Sequence, residues 1–183
     1  APTANKNASI PLQDFSSFKN VKEKKEQFFQ FMLPKIRLAN TKIRVERSSL
    51  QDLTDRNKDE LILTDADKKF LGALKLKYKI SEEREALDSI NALLTKIDEV
   101  PASLVLAQSA NESGWGTSRF AIEARNMFGI WCFREGCGIK PLQRAAGKKY
   151  EVAKYETIPA SVEAYMLTIN SHPAYRELRR IRS

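Results

Sequence analysis

Glu112 is the residue of this sequence whose surroundings most suggest chemistry. It is the one charged residue between Val100 and Ser118, in a chain that is 30% charged. The stretch ANESGWGTSRF puts it in the last turn of a predicted apolar helix, close to Trp115. Apolar surroundings and a helix C-terminus both favour the protonated form of a carboxyl group. We therefore expect Glu112 to be buried beside Trp115 and to act as a general acid.

A second interpretation of Glu112 is structural. Arg119 and Arg125 follow it in sequence, and an ion pair with either would let the carboxylate stabilise the fold. Gly114 and Gly116 favour a functional site instead, because glycines let a sugar or a peptide approach the backbone closely. The residue types alone leave both interpretations open.

Three ordered blocks of the sequence resemble the bacterial glucosaminidases that cut peptidoglycan (glycoside hydrolase family 73). They are ESGWG at residues 112–116, N-x-FG at residues 126–129, and NSHPAYREL, which holds Pro173 and Tyr175. The resemblance covers about residues 98–180. The earlier segment KKEQFFQFMLPKIRLAN resembles the N-terminal arm of the Bax-like branch of that family, a bacterial name unrelated to apoptosis.

The resemblance implies an α+β fold that is mostly α and lysozyme-like. Such a fold has a helical lobe and a small β-hairpin lobe, here with an N-terminal helical arm. We expect the arm at residues 1–60, packing on a catalytic domain of residues 61–183 whose β lobe lies at about residues 126–158.

The resemblance also implies roles for single residues. Glu112 becomes the general acid that protonates the leaving oxygen of a β-1,4 bond after N-acetylglucosamine. Tyr175 becomes a tyrosine that faces the cleft and orients the substrate N-acetyl group or steadies charge, although it could equally be an ordinary core residue. The residues expected to bind substrate or to support its site are Trp115, Asn126, Phe128 and Gly129. Trp115 and Phe128 are expected to act by packing, and Asn126 either hydrogen-bonds a sugar amide or caps the start of the hairpin.

Glycoside hydrolysis usually needs a second carboxylate, as base or nucleophile. The family places it on the β lobe, and Glu151, which lies 39 residues after Glu112 (151 − 112), is our expected second catalytic residue. Glu135 and Glu156 are rivals, because the stretch GIKPLQRAAG holds no acid. A cross-strand ion pair with a lysine is the structural alternative for Glu151. The acetamido group of the substrate could also replace the second carboxylate.

Two cysteines, Cys132 and Cys137, lie close together in WCFREGCG. With one histidine in the chain, His172, they cannot complete a usual four-ligand zinc site, so we expect neither a metal nor a cofactor. We predict a disulfide and hence an oxidising compartment, with two free thiols as the alternative.

The net charge of +8 favours polyanionic partners. Basic residues alternate with acidic ones and form no nucleic-acid-binding motif, so we expect a glycan strand of the cell wall and no nucleic acid as the partner.

The sequence has no run of 18 apolar residues, no phosphate-binding loop and no serine-nucleophile motif. Its start, APTANKNAS, is small and polar like the segment after a removed signal peptide, and a trimmed chain would start in the same way.

Hydrophobic spacing predicts the main elements. Residues 21–47 form a helix that Pro34 is expected to break or kink. Thr64 and Ser81 are the expected N-caps of the next two helices. The aromatic and β-branched segments MFGIWCF and KYEVAKY predict a small antiparallel hairpin or sheet.

These inferences together predict a peptidoglycan hydrolase, an endo-β-N-acetylglucosaminidase that cleaves between N-acetylglucosamine and N-acetylmuramic acid. We expect a monomer in the periplasm of a Gram-negative bacterium, or secreted from it. The alternatives are a lytic transglycosylase, which needs one glutamate and makes an anhydro-sugar, and a peptidoglycan-binding module without catalysis.

Overall fold

The computed structural model describes residues 12–56, 62–144 and 147–182, and the polar start of the chain lies outside them. The helices are α1 (Val21–Arg56), α2 (Asp65–Tyr78), α3 (Ala86–Lys96), α4 (Ala102–Glu112), α5 (Arg119–Ala124), α6 (Ile158–Ser171) and α7 (Arg176–Arg182), with short 3-10 turns at Phe15–Ser17 and Pro173–Tyr175. The strands are β1 (Trp131–Cys132), β2 (Gly138–Ile139) and β3 (Glu151–Ala153). The predicted α+β class, mostly α, is confirmed. Within the described ranges, no helix has both the length and the hydropathy that crossing a bilayer requires.

The chain divides into two compact units. The first unit consists of residues 1–37 and 101–165, and the second of residues 38–100 and 166–183. The chain passes between the units at three points, of which two fall inside helices, α1 and α6, and the third lies between α3 and α4. The expected boundary between an arm and a domain near residue 60 stays a prediction.

Helix α1 runs without interruption through Pro34, so the predicted break is wrong. A proline inside a helix removes one backbone hydrogen bond and crowds the preceding turn. Burial outweighs that cost here, because Phe28, Met32 and Ile36 are completely buried on either side of the proline. In the same turn, the ammonium group of Lys35 donates to the Phe31 carbonyl oxygen over 2.7 Å.

The second unit confirms one predicted cap and corrects the other. Thr64 caps α2 through a capping box, in which its hydroxyl oxygen accepts from the Asp67 N–H and the Asp67 carboxylate accepts from the Thr64 N–H. Ser81 does not begin a helix, since α3 starts at Ala86. The buried ammonium group of Lys75 donates to the carbonyl oxygens of residues 82 and 84 over 2.8 and 3.1 Å, which stabilises a non-helical turn there.

The first unit contains the predicted small sheet. Its strand order is β1-β3-β2, and both pairings are antiparallel. Trp131 pairs with Val152 across β1 and β3, and Gly138 pairs with Ala153 across β2 and β3. A β-carbon on Gly138 would lie 1.9 Å from the Val152 carbonyl oxygen, so only glycine fits at this crossing. The disulfide between Cys132 and Cys137 is present, as predicted.

Candidate active site

A tight turn after α4 positions Glu112. Glu112 is the last residue of α4, and the next three backbone positions after Ser113 have positive φ, namely 56° at Gly114, 58° at Trp115 and 77° at Gly116. Ser113 holds the turn together, because its hydroxyl donates to the Ser109 carbonyl oxygen (2.5 Å) and accepts from the Gly116 N–H (2.8 Å). Sequence reasoning assigned no role to Ser113, although its small hydroxyl between Glu112 and a glycine was the available signal.

The Glu112 side chain is exposed, which corrects the expectation that it is buried beside Trp115. Among residues 12–56, 62–144 and 147–182, no hydrogen bond or ion pair reaches its carboxylate. Arg119, one expected structural partner, donates instead to the Lys140 carbonyl oxygen over 2.8 Å. The carboxylate is therefore open to a ligand, and it does not serve the fold as a cap or an ion pair.

Trp115 packs into an aromatic cluster instead of against Glu112. Its ring centroid lies 5.6 Å from that of Phe28 and 5.3 Å from that of Phe29, both on α1. The ammonium group of Lys25 lies 4.9 Å from the Trp115 ring centroid. Next to the tryptophan, a β-carbon on Gly116 would come within 2.5 Å of the Phe15 ring. Trp115 thus fastens the turn to the helical part of the first unit.

Gly129 brings the backbone of the loop before β1 to the Glu112 carboxylate. A β-carbon built on Gly129 would lie 3.5 Å from Oε2 of Glu112. Gly129 has a φ of 62°, a backbone conformation that residues other than glycine rarely adopt. Of the residues predicted from the sequence, Gly129 and Glu112 are the pair that the structure brings together around the carboxylate.

Asn126 organises this loop from within. It is 1% exposed, and its amide nitrogen donates to the carbonyl oxygens of Ile130 (2.9 Å) and Ala153 (2.8 Å). Its amide oxygen accepts from the N–H groups of Phe128 (3.2 Å) and Ile130 (3.1 Å). A side-chain amide has two donors and two acceptor positions, and all four are used here. Asn126 therefore ties the loop to β3 and leaves no atom of its amide for a sugar.

Phe128 supports the loop by packing. It is 7% exposed, and its ring stacks on that of Tyr165 in α6 with a centroid distance of 4.2 Å and an interplanar angle of 5°. Such a parallel pair fixes the loop more firmly than burial alone. Sequence reasoning missed Tyr165, because its partner lies 37 residues away (165 − 128) and no local pattern connects them.

Glu151, the expected second catalytic carboxylate, is 2% exposed on the central strand β3. Its two oxygens accept from the backbone N–H groups of Gly136 (3.4 Å) and Gly138 (2.9 Å). Its oxygen and the sulfurs of Cys132 and Cys137 all lie within 4.8 Å of one another. The sulfurs are bonded to each other, so they offer no thiolate to a metal in this state.

Glu135, Glu156 and Tyr175 are the remaining candidates from the sequence. Glu135 and Glu156 are exposed in the first unit. Tyr175 is half-buried at the end of the second 3-10 turn and belongs to the second unit, so its part in the site stays a prediction.

A family model matches the part of the chain that contains Glu112. Residues 89–182, slightly more than half of the chain, match the family model Glucosaminidase, described as mannosyl-glycoprotein endo-beta-N-acetylglucosaminidase. The chain belongs to the glucosaminidase family. This membership suggests a glycoside hydrolase.

A curated relative supports the Bax-like branch. The chain is 29% identical over 179 residues to Protein bax of Escherichia coli, and the alignment covers 97% of this chain. The predicted family and branch are thereby confirmed. The chain spans 61% of the length of that relative. No solved structure matches this chain.

Proposed function

We propose that this glucosaminidase is a periplasmic or secreted peptidoglycan hydrolase. It cleaves the β-1,4 bond between N-acetylglucosamine and N-acetylmuramic acid, with Glu112 as the general acid. The observation that carries the proposal is an exposed Glu112 carboxylate with no partner among the described residues, at the end of α4 and against Gly129. Family membership and the disulfide support a substrate outside the cytoplasm.

Glu112 acts on the glycosidic oxygen. In its protonated form it donates its proton to that oxygen while the bond to the anomeric carbon breaks. The chain then leaves with a free hydroxyl group, and the Glu112 carboxylate is ready to accept a proton from an incoming water. The turn around Ser113 and the aromatic contacts of Trp115 hold the end of α4 in place for this step.

The second half of the reaction does not use Glu151 in our proposal. Both Glu151 oxygens already accept backbone hydrogen bonds, and the side chain is buried, so we assign it to positioning the disulfide loop. The acetamido oxygen of the substrate attacks the anomeric carbon while the bond to the protonated glycosidic oxygen breaks, and it thereby forms an oxazolinium ring. Water then opens this ring and passes one proton to Glu112. Tyr175 is proposed to orient the acetamido group.

A lytic transglycosylase is the second candidate, and the burial of Glu151 is the observation that favours it. Such an enzyme also works with one glutamate. Glu112 would first protonate the leaving oxygen and then, as a base, take the proton of a hydroxyl group on the muramic acid. That oxygen attacks the anomeric carbon of the same sugar, so the product is an anhydro-sugar and no water is consumed.

Digestion of purified peptidoglycan, followed by mass spectrometry of the fragments, tests the proposal. The variants are Glu112→Gln, Glu151→Gln and the control Glu123→Gln, which changes an exposed glutamate on α5. We expect the wild type and Glu123→Gln to release fragments with N-acetylglucosamine at the reducing end. Glu112→Gln should lose nearly all activity and keep its fold, as seen by circular dichroism.

Each other outcome excludes part of the proposal. Wild-type activity in Glu112→Gln would reject the general acid. Anhydro-muramic ends would identify a transglycosylase. Loss of activity in a correctly folded Glu151→Gln would restore Glu151 as a catalytic carboxylate, and Glu135→Gln and Glu156→Gln test the two rivals in the same way. Binding without any product would identify a peptidoglycan-binding module.

A further inference from the structure

A stacked pair of aromatic rings lies on the β lobe, with Trp131 exposed and Tyr150 half-buried. The Trp131 and Tyr150 rings stack with a centroid distance of 4.5 Å and an interplanar angle of 10°. Trp131 is 54% exposed, and we refer to the two side chains as the aromatic platform. A large exposed aromatic surface on a small lobe is costly in water and typically marks a binding surface.

The platform is held by structure on both sides. Trp131 is the first residue of β1, and it is followed by the disulfide-bonded Cys132. Tyr150 directly precedes β3, and its carbonyl oxygen accepts a hydrogen bond of 3.2 Å from Arg144. In an antiparallel pair, residues of facing and diagonal positions share one face of the sheet, which accounts for the contact between the two rings. A preformed stack loses little conformational freedom when a ligand binds.

The platform is also close along the chain to Gly129. Trp131 lies two residues after Gly129, the residue against the Glu112 carboxylate. Consecutive Cα atoms are about 3.8 Å apart, so the Cα atoms of Gly129 and Trp131 are separated by roughly 8 Å or less. A glycan chain bound at Glu112 would therefore have a neighbouring sugar within reach of the platform.

The charged residues that flank the platform in sequence are mainly basic, with Glu135 as an exposed acid among them. Lys148 and Lys149 precede Tyr150 and are exposed, and so is Arg134, three residues after Trp131. Glu151, the acid next to Tyr150, is buried and accepts backbone hydrogen bonds, so it does not oppose an anion at the surface.

We propose that the aromatic platform is a subsite for a pyranose ring of the peptidoglycan strand. The apolar C–H face of the sugar stacks on the Trp131 ring, and the neighbouring cations attract the carboxylates of the muramic acid and its peptide. This inference rests on the proposed function. A single-stranded nucleic acid also binds to stacked aromatic rings flanked by cations, and it is the rival that the test must exclude.

Binding measured without turnover tests the platform. The protein carries Glu112→Gln, so that the glycan stays intact, and contains fluorine-labelled tryptophan. The chain has two tryptophans, and Trp131→Phe assigns the Trp131 resonance in fluorine NMR. We expect that resonance to shift with an N-acetylglucosamine tetrasaccharide and not with an oligothymidine strand.

Retention on purified peptidoglycan should fall about tenfold in Trp131→Ala, a loss typical of a central aromatic contact. The control Leu142→Ala, which removes a fully exposed apolar side chain from the same lobe, should bind normally.

The outcomes separate this inference from the proposed function. An unmoved Trp131 resonance, or normal retention of Trp131→Ala, would overturn the platform as a subsite. Neither result would contradict the proposed cleavage by the wild type. A response to the oligonucleotide alone would overturn it in favour of nucleic acid. Binding that depends on Trp131 in a protein that cleaves nothing would support the platform and reject the hydrolase. Near-normal binding of Trp131→Phe would further support stacking, because phenylalanine keeps an aromatic face.

Discussion

A β-carbon on Gly129 would lie 3.5 Å from Oε2 of Glu112, so the loop before β1 passes directly over the exposed carboxylate. The Glu112 carboxylate makes no hydrogen bond or ion pair within the described parts of the chain. At Gly129 the surface beside the carboxylate is thus backbone, and we propose that a bound sugar uses the space that a side chain would fill there.

Gly129→Ala should lower kcat/KM about tenfold or more, equivalent to about 1.4 kcal/mol, because the added methyl group fills that space. It should also cost about 1–2 kcal/mol of stability, since the φ of 62° disfavours alanine. Gly147→Ala is the matched control, with a φ of 78° and, apart from its chain neighbours, no heavy atom of the described residues within 4 Å of the new β-carbon. It should lose similar stability and keep its activity. Equal activity losses in the two variants would reject the crowding argument.

Glu151→Gln should lower the free energy of unfolding by about 1–3 kcal/mol, because the new NH₂ group would face a backbone N–H that now has an acceptor. The affected donors are the N–H groups of Gly136 and Gly138. Urea denaturation measures the change, with the exposed Glu156→Gln as the control. The folded variant should retain activity within a few-fold. Unchanged stability would contradict the positioning role.

Asn126→Ala should destabilise the protein by about 3 kcal/mol, because it leaves buried backbone groups without partners. The carbonyl oxygens of Ile130 and Ala153 lose their donors together. Asn91→Ala, at an exposed position of α3, should change stability by less than about 0.5 kcal/mol. Thermal unfolding compares the two variants. A loss of sugar binding in Asn126→Ala without any loss of stability would instead assign its amide to the substrate.

The capping box of α2 should make stability depend on pH. The hydroxyl and the N–H of Thr64, followed by Arg56, lower the pKa of Asp67 below its ordinary value. A carboxyl group whose pKa is lower in the folded state contributes stability above its unfolded pKa of about 3.9. That contribution is lost as the pH falls through the lower folded pKa. The difference in unfolding free energy between wild type and Asp67→Asn should therefore be constant near neutral pH and shrink below about pH 4. A difference that does not change with pH would exclude this linkage.

Local signals were read correctly from the sequence where they act over a few residues. Thr64 caps α2 because its partner Asp67 is three residues away, and the cysteine pair closes a loop of similar size. The break expected at Pro34 and the N-cap expected at Ser81 are wrong for the opposite reason. Buried side chains on both sides of Pro34 and the buried Lys75 near Ser81 override local preference, and neither is visible in a short window of sequence.

The sequence predicted which residues belong to the candidate site, but it did not predict their burial or their contacts. The absence of charges around Glu112 suggested burial, whereas the structure exposes its side chain and turns Trp115 towards Phe28. Residue types near Glu151 did not reveal its backbone donors, because they come from a loop 13 to 15 residues earlier. Hydrogen-bond partners of this kind depend on the register of the sheet, which no spacing of residues specified.

The small sheet is secured by a disulfide bond that forms only after the chain has been made. Cys132 ends β1 and Cys137 immediately precedes β2, so one covalent bond links the two outer strands, which contribute two residues each. Closing a loop of this size stabilises a fold by about 2 kcal/mol in the chain-entropy model, a large share for so few backbone pairs. The lobe that carries Gly129 and Trp131 is therefore completed by an oxidation that follows translation. Where thiols stay reduced, a newly made chain would lack the bond that secures this lobe, so the redox state of the compartment decides how firmly the small sheet is held.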